Sequence, residues 1–253
     1  MKRIFKSIIL FILCMSIVLS LISCTKNNKN NNNDSDYFWK PVKFGDYYKN
    51  CNDKLYPLYW HVFDVDDSKV YLITARVIDC VPFYTDGQPM FWSASYIRQW
   101  LNDDFYNTAF SDEEKELLCL EKLSILNNSN LGLSAGRFAE ETEDKVFLMT
   151  ANQANDASQS ILRAQVSPYA KEKGVFVEPK YDYGMWWLMS PGYNLQTAAV
   201  VDIYGTIHNG SGESTKYTDV SMFDDYVGVR PVIAIDYDDF VEIYDDIQVD
   251  IIN

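Results

Sequence analysis

Val227-Gly228-Val229-Arg230-Pro231-Val232-Ile233-Ala234-Ile235 is an almost wholly apolar, β-branched run, the composition of a strand buried on both faces. One charged residue, Arg230, interrupts it. A guanidinium with five donors in such a run must reach a carboxylate or several carbonyls, so a structural role is the expectation for it. The run is expected to close a sheet begun upstream. There, Met185-Trp186-Trp187-Leu188-Met189 reads as a buried strand ending at Ser190-Pro191-Gly192, and residues 197–203 and 206–208 read as a hairpin around Tyr204-Gly205.

Working outward, Leu58-Tyr59-Trp60-His61-Val62-Phe63 and Lys69-Val70-Tyr71-Leu72-Ile73-Thr74 are β-rich and flank the turn sequence Asp66-Asp67-Ser68, which predicts a second hairpin. Lys43-Phe44-Gly45-Asp46-Tyr47 reads as a short strand running into a turn. Ser93 or Ser95 caps a helix to about residue 102, with Tyr96, Ile97, Trp100 and Leu101 on one side. Ser111-Asp112-Glu113-Glu114 is a capping box that opens a shorter helix. Further strands are expected over 118–126 and 145–149, a polar loop over 127–143, and short helices over 151–157 and 168–172. Residues 209–225 read as a loop, and 236–253 as an acidic edge strand or loose tail.

The 253 residues suit one sizeable core better than two. With a net charge of −14 and no cluster of Lys and Arg beyond the first six residues, the chain lacks the basic stripe that replaces counterions on nucleic acid, so DNA and RNA are excluded as partners.

The amino terminus carries an address. Lys2, Arg3 and Lys6 precede an apolar run over 8–22, the order of an export signal. The run is somewhat short for a permanent transmembrane helix. It ends at Leu21-Ile22-Ser23-Cys24, which looks like a bacterial lipobox: Leu21 fills an apolar pocket of the peptidase, Ser23 is small enough for cleavage, and only the Cys24 thiol forms a thioether with diacylglycerol. Each buried methylene contributes about 0.8 kcal/mol, so two or three acyl chains hold a protein on a bilayer. The expectation is therefore an exported protein, lipid-anchored on a bacterial membrane and facing outside the cytoplasm, with the membrane as partner through Cys24. Residues 1–23 form the signal, 24–36 an Asn-rich tether without the apolar surface to fold, 37–236 the domain, and 237–253 the acidic strand or tail.

Cys51, Cys80 and Cys119 remain, an odd number with no CxxC pair and no Cys/His cluster, so no zinc site is predicted. Apolar neighbours make Cys80 and Cys119 buried thiols, and a bridge from Cys51 to one of them is an open alternative. The chain lacks GxSxG, HExxH, a Walker loop and a dinucleotide fingerprint. Neither a cofactor nor a metal is called for, and no catalytic residue is assigned.

From Phe44 to Asp236 the chain resembles a widespread, mostly uncharacterised family of bacterial surface and secreted domains. The resemblance rests on Ile97-Arg98-Gln99-Trp100-Leu101-Asn102-Asp103-Asp104-Phe105-Tyr106-Asn107-Thr108-Ala109-Phe110, on Trp186-Trp187-Leu188-Met189-Ser190-Pro191-Gly192, and on Val227-Gly228-Val229-Arg230-Pro231. That family is similar in turn to the C-type-lectin-like fold of formylglycine-generating enzymes and of the variable proteins of retroelement systems. The resemblance implies an α+β fold: a single C-type-lectin-like domain with a mixed, mainly antiparallel twisted sheet and two or more short helices. Met189 stands where the family often has Arg. The enzymes' late reactive cysteines are absent here, since no Cys follows Cys119. Glu178-Pro179-Lys180 places an ammonium where calcium-binding lectins need an oxygen ligand.

Trp187, Tyr193, Asn194, His208 and Asn209 combine aromatic faces and amides near loop ends, which makes them the candidate ligand-binding residues for a glycan or a peptide or protein ligand. The leading expectation is a noncatalytic binding or recognition module of the cell envelope. The alternatives are a carboxylate-based extracytoplasmic hydrolase, favoured by a convergent acid pair in a cleft, and a structural or adhesion protein of the envelope.

Overall fold

The computed structural model describes residues 41–66, 68–85, 92–124, 141–192, 196–208, 220–221 and 224–243. Contacts divide the chain into units 1–38 and 39–253, and every described residue lies in the second. Numbered along the chain, the strands are β1 (Val42–Tyr48), β2 (Leu55–Val65), β3 (Lys69–Thr74), β4 (Asp79–Cys80), β5 (Glu121–Ser124), β6 (Glu141–Asp144), β7 (Val146–Phe147), β8 (Trp186–Pro191), β9 (Ala198–Val201), β10 (Ile207–His208), β11 (Gly228–Val229) and β12 (Val232–Asp236). The helices are α1 (Tyr96–Trp100), α2 (Tyr106–Ala109), α3 (Asp112–Leu117), α4 (Ala151–Asp156), α5 (Gln159–Leu162), α6 (Pro168–Glu172) and α7 (237–243). The domain is thus α+β, with short helices around mainly antiparallel sheets.

The strands form two five-stranded sheets, in the orders β1-β2-β3-β12-β7 and β10-β9-β8-β11-β4, beside a separate β5-β6 ladder. One closing sheet was the expectation; Arg230-Pro231 is the reason there are two. Pro231 has no N–H to donate to a ladder, so the run leaves one sheet after β11 and enters the other as β12. Within the second sheet β11 runs parallel to β8 and antiparallel to β4. Gly228 passes so close to Val77 that a Cβ at this position would overlap that side chain.

The 58–63 and 69–74 hairpin forms as predicted, paired from Trp60↔Thr74 to Val65↔Val70 with a bulge at Val62/Asp64. Between β9 and β10 the turn uses Gly205 at φ 78, a conformation that favours glycine. Ser95 caps α1, accepting from the Arg98 amide at 3.2 Å, and Ser111 and Glu114 form the capping box of α3. The first helix extends beyond residue 102, however: a π turn over Leu101–Phe105 carries it into α2. Ile97, Trp100, Leu101, Phe105 and Ala109 are buried along it, whereas Tyr96 faces outward.

Two local expectations are corrected. Glu141–Asp144 is a strand rather than loop; its alternation is real, but the inward residues are Thr142 and Asp144, so no apolar period announces it. Residues 237–243 are helical, not a strand or tail. Tyr237, Phe240 and Ile243 recur at helical spacing and pack on the core, while the residues between them face solvent.

Trp60, Trp92, Trp186 and Trp187 are among the largest fully buried side chains. Three of their indole N–H groups donate to backbone carbonyls: Trp60 to Phe44 at 2.7 Å, Trp186 to Leu162 at 3.0 Å and Trp187 to Val81 at 3.0 Å. Burying these rings therefore leaves no donor unsatisfied. Cys51 is exposed, Cys80 and Cys119 are half-buried, and all three are free thiols. Among the described residues no helix is long and apolar enough to cross a membrane.

Candidate binding cleft

Of the residues expected to meet a ligand, Trp187 and His208 lie among the described residues. Trp187 is fully buried, with Phe83 edge-on against it at 5.6 Å, and so presents no face to a ligand. Its place at a strand end suggested access, but the second sheet is covered there. Tyr193, Asn194 and Asn209 lie outside the described residues. His208 is half-buried and its Nε2 lies 2.8 Å from Oδ2 of the buried Asp202. Asp202 Oδ1 also accepts from the amides of Tyr204 and Thr206, so this carboxylate ties the β9–β10 turn together. Burial alone would raise its pKa, but the His208 bond and the two amides hold it below the usual value. Arg230 is buried. Its Nε and Nη2 donate to Thr74 O at 3.1 and 2.7 Å, its Nη1 donates to Ile161 O, and it lies 4.8 Å over Trp186.

The acidic turn at Glu178 is also occupied by its own backbone, Oε2 accepting from the amides of Lys180 and Tyr181 at 3.0 and 2.7 Å. Among the described residues no cluster of His, Cys, Asp or Glu could hold a metal ion.

The helical signature is explained by packing. Asn102 Nδ2 donates to Val146 O at 2.8 Å while its Oδ1 accepts from the amides of Lys145 and Val146, so one amide side chain satisfies the edge of β7. Arg98 bonds Asp144 through Nε at 2.7 Å. Asp144 Oδ2 also accepts from Trp92 Nε1 at 3.0 Å and Thr142 Oγ1 at 2.8 Å. A recess of ≈ 560 Å³ runs past Ser93, Arg98, Asn102 and Lys145. Its main polar groups are spent holding α1 to β6 and β7, which makes it a poor ligand site.

A different surface concentrates aromatic side chains. Two recesses, of ≈ 310 and ≈ 500 Å³, share Tyr47 and Tyr48 at the end of β1. The larger is lined by Tyr56 and Tyr59 of β2, with Lys49 and Arg76 at hand. The smaller is lined by Tyr96, Trp100, Tyr169, Asp79 and Asp104. The amide of Tyr169 donates to Lys49 O at 3.0 Å, which fixes α6 against the end of β1. Tyr48 and Tyr169 lie 5.2 Å apart at 30°. Lys49 and Lys173 place their ammonium groups 5.8 and 5.2 Å over the rings of Tyr56 and Tyr169.

Asp79 is the buried acid of this cleft, 5% exposed. Its Oδ2 accepts from Tyr47 Oη at 2.6 Å and its Oδ1 from the Cys80 amide at 2.7 Å. Burial raises its pKa against both of those bonds. Burial also raises the Tyr47 phenol, followed by the Asp79 charge, so Tyr47 stays protonated and donates. Sequence reasoning missed this surface. Tyr47-Tyr48 and Tyr56 to Tyr59 were a visible signal, but tyrosines alternating in a strand read equally as core.

Two five-stranded sheets, linked where the chain runs from β11 into β12, flanked by short helices and opened at one side by a tyrosine-lined cleft, define an α+β domain. Within that class, the chain belongs to the family described as Domain of unknown function (DUF6273), which it matches over residues 67–237. No curated protein and no solved structure matches it.

Proposed function

We propose that this chain is an exported lipoprotein, held on a bacterial membrane through Cys24, whose C-type-lectin-like domain recognises a glycan or a peptide at the tyrosine-lined cleft. The observation that carries the recognition reading is the pair of recesses sharing Tyr48, walled by aromatic side chains from β1, β2, α1 and α6. Aromatic faces supply contact area with little side-chain entropy to lose, and a concave surface that combines them with a few placed polar groups suits ligands. Anchoring is supported by the basic, apolar and Leu-Ile-Ser-Cys order of residues 2–24. The membership in a bacterial surface family and the lectin-like relationship are supported by the Trp-Trp strand, the glycine hairpin and the terminal Gly-Val-Arg strand.

Two experiments test the proposal. Cys24→Ala abolishes incorporation of radiolabelled fatty acid in cells that process lipoproteins; labelling that persists removes the anchor. On glycan and peptide arrays, the wild-type chain binds a defined set, and Tyr48→Ala, still folded by circular dichroism, loses at least about tenfold in affinity, since a handful of aromatic contacts dominates most interfaces. Full binding by Tyr48→Ala rejects the cleft.

One observation favours a second reading, a carboxylate-based hydrolase: Asp79 and Asp104 both line the smaller recess, and Asp79 holds its proton more tightly than an exposed carboxyl. Turnover of chromogenic glycosides or esters that disappears in Asp79→Asn would replace recognition by catalysis.

A further inference from the structure

Resting on the recognition reading, we infer that the smaller recess receives an ammonium group of the ligand, as borne by a lysine side chain or an amino sugar. Tyr48, Tyr96, Trp100 and Tyr169 line it, and its charged residues are the buried Asp79, the exposed Asp104 and the exposed Lys173. Ring faces carry negative partial charge and attract a cation within about 6 Å of the centroid. The chain already does this with its own side chain: Lys173 Nζ sits 5.2 Å over Tyr169. An anion entering the recess meets two carboxylates and one lysine. A neutral polyol finds the deepest hydroxyl, Tyr47 Oη, already committed to Asp79 at 2.6 Å. An ammonium suits both the ring faces and the acids, and a net charge of −14 draws cations toward the surface.

Lys173 gives the inference a sign that a general binding pocket lacks. As a resident cation it competes with the incoming one, so its removal strengthens an ammonium ligand and weakens an anionic one. The full-length chain in neutral detergent is titrated calorimetrically with N-acetyl-lysine methylamide and with glucosamine, each against a neutral counterpart, N-acetyl-norleucine methylamide and N-acetylglucosamine. At least one ammonium probe binds about tenfold more tightly than its counterpart, and which one does identifies the source of the group. Lys173→Met tightens that probe about threefold or more, and Asp104→Asn weakens it by a similar factor; both positions are exposed, so folding is preserved. Asp79→Asn, whose amide can still accept from Cys80 and donate to Tyr47, abolishes the preference for charge. Equal binding of charged and neutral probes, or weaker binding in Lys173→Met, overturns the inference. If neutral glycans or peptides meanwhile bind in a Tyr48-dependent way, recognition stands and only the ammonium assignment falls.

Discussion

Arg230→Ala is expected to cost about 3–5 kcal/mol, a large fraction of the stability of an ordinary domain, and chemical denaturation read by tryptophan fluorescence measures it directly. The guanidinium lies at the point where the chain leaves the second sheet for the first. Its three hydrogen bonds end on Thr74 O, at the close of β3, and on Ile161 O, in α5. Removing it strands those carbonyls without donors and opens a hole beneath Trp186, so a desolvation loss and a cavity loss act together. Burial pulls the pKa of Arg230 down to about 9, so the side chain keeps its charge at neutral pH while donating. Arg230→Lys is expected to recover little, because an ammonium cannot span two carbonyls with a planar fork. A variant with Ala at this position that denatures at the wild-type midpoint would contradict the account.

Asp144→Ala is the second large effect, again about 3–5 kcal/mol, because a buried acceptor is removed from three donors at once. Trp92 Nε1, Thr142 Oγ1 and Arg98 converge on a carboxylate 1% exposed. This one group fastens the approach to α1, α1 itself and the β5–β6 ladder. Arg98→Met leaves Asp144 its bonds from Trp92 and Thr142 and removes only the partly exposed partner, so it should cost less than Asp144→Ala. Asp144→Asn falls between them, since its NH₂ must oppose one of the three donors. Thermal melting of the three variants gives that order; equal melting temperatures would show the network to be incidental.

Much of the secondary structure was legible because its causes are local. Ser95 and Ser111 begin helices through side-chain bonds to amides three residues ahead, and Asp66 with Ser68 turns β2 into β3. The signature Ile97-Arg98-Gln99-Trp100-Leu101-Asn102 was legible as a motif but not in its purpose. Its polar members satisfy β6 and β7, one of which had read as loop because the residues it buries are polar.

The sequence by itself determined the α+β class, the capped helices and the hairpins. It also determined that Arg230 needs buried partners, since no strand of that composition leaves a guanidinium in solvent. Only the tertiary structure decided that Val227 to Ile235 serves two sheets instead of one, that Trp187 is core, and that Tyr47, Tyr48, Asp79, Tyr96, Trp100 and Tyr169 meet around one recess. The reason is physical: periodicity fixes which side of an element a residue occupies, but burial depends on what packs against that side, and those neighbours lie far away along the chain.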